Sequence, residues 1–121
     1  MAKLTATKRF SFCYGHYLPE FIGKCKNVHG HNSFLEVTFD GNSAEKEYPT
    51  MVVDFTKIKK YVQPIVDKLD HQNLNDFFAY PTAETILEYF ASEIQKECPF
   101  GDCLVKMRLW ETPDSYITWL R

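Results

Sequence analysis

Between residues 4 and 16 the even-numbered positions Leu4, Ala6, Phe10, Phe12 and Tyr14 are apolar, with Lys8 the exception. From residue 29 to residue 39 the odd positions His29, His31, Leu35, Val37 and Phe39 share one parity. A period of two marks an extended strand that buries one of its faces. Two long half-buried strands cannot stand alone, because each apolar face needs another layer across it. That layer is legible downstream. Asp54 is placed to cap a helix in which Phe55, Ile58, Val62, Ile65, Val66 and Leu69 form one stripe, and Pro64 in its interior predicts a kink. Thr82, after Pro81, caps a second helix with Ile86, Leu87, Phe90, Ala91 and Ile94 on its apolar side. Residues 104–111 and 115–120 read as two more strands, joined through Thr112, Pro113 and Asp114, and the polar run 40–48 reads as a loop. The order β, β, α, α, β, β predicts an α+β fold, with two helices packed on one face of an antiparallel sheet.

At 121 residues the chain is expected to form one domain over residues 1–121, with no internal repeat. A formal net charge of -2 provides no electrostatic argument for nucleic acid or an anionic membrane. No apolar run approaches the ~20 residues that span a bilayer, and the N-terminus has no apolar export segment. A cytoplasmic protein with reduced thiols is the expectation. Of the four cysteines, Cys98 and Cys103 flank a turn-like stretch without a nearby histidine and read as structural residues.

The chain has four histidines, and His16, His29 and His31 lie at strand ends or approaches. Neutral imidazole is a preferred zinc ligand, and a tetrahedral ion needs ligands from more than one backbone segment. His29 and His31 put two rings on one strand face, and His16 on the neighbouring strand could supply a third. Cys25, four residues before His29, then has two readings: a fourth ligand that closes the shell, or a free thiol beside an open metal position. Asp70-His71 follows the first helical stripe, and a carboxylate bonded to an imidazole nitrogen sets its tautomer and basicity. Solvation of a helix end is the plain alternative for that pair. Glu111 ends a strand on the parity of Val105, Met107 and Leu109. A carboxylate there suits a ligand with two parallel N–H donors, and a strand end reaching solvent is the alternative.

In chain order these residues form the pattern F-S-F-x3-H-x-L-P, K-C-x3-H-G-H, V-V-D-F-x3-K, L-D-H-x2-L-N, P-T-x-E and a late E-T. The pattern resembles the 6-pyruvoyl-tetrahydropterin synthase family, and most of all its bacterial 6-carboxytetrahydropterin synthase branch in queuosine biosynthesis. The resemblance runs from about Phe10 to Thr112. It implies a T-fold subunit, a four-stranded antiparallel sheet with two helices on one face, assembled as a hexamer from two trimers. It implies zinc on His16, His29 and His31, Cys25 as the catalytic thiol, and Asp70 with His71 tuning proton transfer from another subunit. It also implies that Glu111 anchors a pterin, with Thr82 and Ala83 beside the ring. The family commonly has an arginine where Tyr17 stands, so Lys24 or Lys26 becomes the candidate for binding phosphate. The same resemblance leaves open a 6-pyruvoyl product or an aldolase-type relative, although the latter tend to carry glutamate in place of the thiol. A non-catalytic zinc module that uses Cys25 as fourth ligand is the alternative from outside the enzymes.

Overall fold

The computed structural model describes residues 3–21, 23–41 and 48–121. The two alternating segments are strands β1 (Thr5–His16) and β2 (His29–Asp40), paired antiparallel from Thr5↔Asp40 to His16↔His29. This register sets Tyr14 opposite His31 and His16 opposite His29, so the imidazoles meet at the end of the ribbon. Strand β4 (Leu104–Thr112) adds antiparallel to β2, and β5 (Ser115–Leu120) to β4. The four long strands thus pair antiparallel as expected. A two-residue strand β3 (Gln72–Asn73) pairs parallel with β1, which makes the sheet five-stranded and mixed, in the order β3-β1-β2-β4-β5. Two exposed polar residues carry no hydrophobic period, so nothing in the sequence announced this strand.

Helices α1 (Phe55–Leu69) and α2 (Ala83–Glu97) cover one face of the sheet. Their caps are the expected ones: Thr56 N–H donates to the Asp54 carboxylate, and Thr85 N–H to the Thr82 hydroxyl. Pro64 does not end α1, which runs on to Leu69. Pro64 is exposed while Val62, Ile65 and Val66 are buried, so the backbone bond it deletes lies on the solvent side. Phe55, placed on the apolar stripe by its spacing, instead stands 53% exposed on the first turn. The core combines Phe10, Phe12, Leu35, Val37, Phe39, Met107 and Leu109 from the strands with Ile58, Val62, Ile86, Phe90 and Ile94 from the helices. A register shift between Thr38 and Phe39 pairs Phe39 with Leu104, so Leu104 is fully buried and Val105 only half-buried. Cys98 and Cys103 are buried, and burial pushes the Cys98 thiol up to about 11, where it stays protonated and inert.

The expected loop lies partly outside the described residues, at positions 42–47. Among the described residues no helix is long and apolar enough to cross a membrane.

Candidate metal centre and ligand site

His16 stands at the last position of β1 and is 1% exposed. Its Nδ1 lies 2.7 Å from the Pro81 carbonyl, just before α2, so that N–H donates to the carbonyl and the lone pair is left on Nε2. His29 is held in the same way, its Nδ1 2.8 Å from the Asn27 carbonyl. His31, two residues on, points its Nε2 to within 3.0 Å of His16 Nε2. The ring centroids of the three are 4.5 to 4.9 Å apart, and their ligand atoms lie within 4.8 Å of one another.

These residues fit a metal ion. Two imidazoles pinned through Nδ1 to backbone carbonyls, with Nε2 facing inward, is the arrangement that orients metal-binding histidines. Burial is the largest influence on both His16 and His31 and lowers both below the ordinary histidine range, opposed by the Pro81 carbonyl and Glu111 for His16 and by Glu111 for His31. The neutral ring, which is the ligand form, is therefore favoured at neutral pH.

Glu111 reaches the same point. Its Oε1 is 3.4 Å from His31 Nε2 and 3.7 Å from His16 Nε2. The pairing of β4 with β5 shifts register between Trp110 and Thr112, which puts Glu111 in a bulge, and a bulge re-aims the side chain it carries. Thr82 and Ala83 open α2 directly after Pro81, so the residue that holds His16 also ties the helix start to the three imidazoles.

Cys25 and the exposed Lys24 occupy a 3-10 turn, Lys24–Lys26. The Leu18 N–H donates to the Cys25 carbonyl at 2.6 Å, and the half-buried thiol lies outside the histidine group. Asp70 and His71 form a second group, and their partner there is Cys13. The Cys13 N–H donates to Asp70 Oδ1 at 2.8 Å, His71 Nδ1 lies 3.0 Å from Asp70 Oδ2, and the His71 N–H donates to the Cys13 carbonyl at 2.6 Å. The Cys13 amide first, and the His71 ring after it, hold the Asp70 carboxyl below its ordinary range. His71 adopts a left-handed φ of 60°, unusual for a residue with a side chain, at the corner between α1 and β3. A cleft of about 570 Å³ joins the two groups, lined by Cys13, His29, His31, Asn32 and His71 among others.

Sequence reasoning missed Cys13 and Tyr14. The Cys13 thiol donates to Asn32 Oδ1 at 3.0 Å, a contact that follows from the β1–β2 register. Tyr14 reads as an ordinary core aromatic, yet its hydroxyl is buried without a hydrogen-bond partner among the described residues. A buried polar group left unmatched costs about 1–3 kcal/mol. Burial first, and then the Glu111 charge, raise the phenol above the ordinary tyrosine range.

Residues 5–121 match the family model for 6-pyruvoyl tetrahydropterin synthase. The chain belongs to the 6-pyruvoyl tetrahydropterin synthase family. As a member it is a pterin-processing lyase. It is 38% identical to a dihydroneopterin monophosphate aldolase of Pyrococcus furiosus, over 85% of each chain. It is 32% identical to a 6-carboxy-5,6,7,8-tetrahydropterin synthase of Haemophilus influenzae, over 91% of this chain and 94% of that one. The structure of the Caenorhabditis elegans 6-pyruvoyl tetrahydropterin synthase superposes with a TM-score of 0.85 at 28% identity, covering 100% of this chain and 97% of that one. The T-fold expected from the resemblance therefore stands, with β3 as its one addition.

Proposed function

We propose that the chain is a zinc-dependent 6-carboxytetrahydropterin synthase that converts 7,8-dihydroneopterin triphosphate to 6-carboxy-5,6,7,8-tetrahydropterin, releasing acetaldehyde and triphosphate, in queuosine biosynthesis. The observation that carries this reading is the convergence of the His16, His29 and His31 nitrogens beside the Glu111 carboxylate, with the Cys25 thiol outside that group. Zinc bound by the three imidazoles supplies Lewis acidity toward the oxygens of the substrate side chain. Glu111 accepts the paired N–H donors of the pterin edge, and Thr82 and Ala83 flank the ring. Cys25 takes a proton from the side chain and returns it, a role that a free thiol near cations can fill at neutral pH. Asp70 orients His71, and the pair assists cleavage of the carbon–carbon bond from a neighbouring subunit. Lys24 meets the triphosphate where Tyr17 replaces the customary arginine. The working form is a cytoplasmic hexamer of two trimers, each chain one T-fold domain over residues 1–121.

Support for the carboxy product comes from the C-x3-H-G-H spacing and from the Haemophilus relative. The identity with the Pyrococcus aldolase favours a second reading, aldol cleavage of a dihydroneopterin, against which Cys25 weighs because aldolase-like relatives tend to carry glutamate there. Incubation of the purified protein with 7,8-dihydroneopterin triphosphate separates the readings. Acetaldehyde trapped together with a 6-carboxy product is the expected result. A product that keeps all three side-chain carbons points to 6-pyruvoyl synthesis, and glycolaldehyde triphosphate with a 6-hydroxymethyl product points to the aldolase.

A further inference from the structure

Tyr14 stands at this site without a role in the chemistry above. Its ring is stacked on Phe12 at 5.3 Å and lies 5.2 Å from the His16 ring and 5.3 Å from that of His31. The side chain is 3% exposed, and its hydroxyl meets no acceptor among the described residues. Glu111 shares an imidazole with the phenol: its Oε1 lies 3.4 Å from His31 Nε2, and the Tyr14 ring packs on the same His31 ring at 5.3 Å. The Glu111 side chain is 36% exposed at the end of the β4–β5 hairpin, so its rotamer is only partly restrained. In this structure Glu111 rests on His31 and His16 through Oε1. His16 and His31 would hold an ion through these same Nε2 nitrogens, and Glu111 would then give up its two ring contacts. A carboxylate has about four lone-pair sites, enough to accept a phenol O–H and still receive two N–H donors from a ligand.

We propose that Tyr14 is a positioning residue for Glu111: its buried hydroxyl donates to the Glu111 carboxylate when the histidines hold their ion, and so fixes the lone pairs that receive the ligand's N–H edge. This rests on the pterin-lyase reading, and it adds a determinant of ring recognition that belongs to this chain's own Tyr14. The Phe12 stack makes the phenol an immobile donor, which is what a half-exposed carboxylate needs in order to be pre-set for binding.

The test is a double-mutant cycle on the zinc-loaded protein with Tyr14→Phe, Glu111→Gln and the pair, titrated with 7,8-dihydroneopterin by fluorescence. Tyr14→Phe keeps the ring and removes only an unmatched hydroxyl, so the ion-free variant should melt no lower than the parent and should take up the same zinc. Pterin binding should weaken roughly tenfold in Tyr14→Phe, the scale of one hydrogen bond to a charged group. In the Glu111→Gln background the same change should have almost no further effect, because Tyr14 acts through Glu111. Equal pterin affinity in parent and Tyr14→Phe overturns the proposal, and so do losses that simply multiply, which would mean an independent contact. A parent protein that takes up zinc and binds no pterin overturns the pterin reading and this proposal together, whereas parent binding with an unaffected Tyr14→Phe overturns this proposal alone.

Discussion

His16 shows how much of the site one residue carries. It closes β1, pairs across to His29, and fixes its own tautomer on the Pro81 carbonyl of a distant segment. With burial lowering its pKa and that of His31, these two rings are poised as neutral ligands. Substituting His29 or His31 by alanine should therefore lower zinc affinity by more than about a hundredfold, since even lost outer partners of such ligands cost 10–100-fold, and activity should go with it. Metal analysis after dialysis reads this directly, and full occupancy in either variant would remove that residue from the ligand set. Cys25→Ala should behave in the opposite way, keeping its zinc and losing turnover. Loss of zinc in proportion to activity would instead make Cys25 a fourth ligand and the site a structural one.

At the level of elements, the site is held by ends rather than middles: the ends of β1 and β4, the start of β2 and the cap of α2. The core behind them must keep those ends in register, and Gly101 is a narrow point in it. A Cβ at Gly101 would lie 2.6 Å from the Gln95 carbonyl oxygen and 2.7 Å from its Cα, both backbone atoms near the end of α2 that cannot rotate away. Gly101→Ala should thus push the 3-10 turn Gly101–Cys103 off the helix and cost about 1–3 kcal/mol, a fall of several degrees in Tm by calorimetry. An unchanged Tm would show that this contact relaxes freely. The helices and long strands were legible because each repeats its period over several turns or pleats. Strand β3 and the two register shifts were not, since a two-residue strand or a one-residue slip leaves no periodic trace.

Across the whole molecule, the helices cover one side of the sheet and leave the other open. On or beside that open side Phe34 is 40% exposed, Tyr116 42% and Leu120 68%, with the Arg9 guanidinium over the Phe34 ring at 4.5 Å and that of Arg108 over Tyr116 at 4.5 Å. Among the described residues strand β5 is an edge of the sheet, with backbone groups on one side that no other strand pairs. Sheets joined edge to edge in a hexamer would cover both features. Light scattering on the purified protein should therefore return about six times the 14.2 kDa chain mass. A monomer at working concentration that still turns over substrate would show that Asp70-His71 serves the metal centre of its own chain.

What the sequence determined by itself was the class of fold, the helix caps and the identity of the metal-binding candidates. These are local facts: a period, a capping oxygen, an imidazole two residues from another. Motif order was enough to suggest the family, because spacing along a strand or past a helix start survives without coordinates. The tertiary structure alone decided how these parts meet. It placed the Pro81 carbonyl against His16, turned Glu111 through a bulge onto two imidazoles, set Cys13 beside Asp70 and His71, and left the Tyr14 hydroxyl buried and unmatched. The first three are contacts between segments far apart in the chain, and the fourth is a polar group that packing among the described residues leaves without a partner. Hydrophobic period says which face a side chain takes, but not which distant atom waits there, since that depends on strand register and on packing of the whole core.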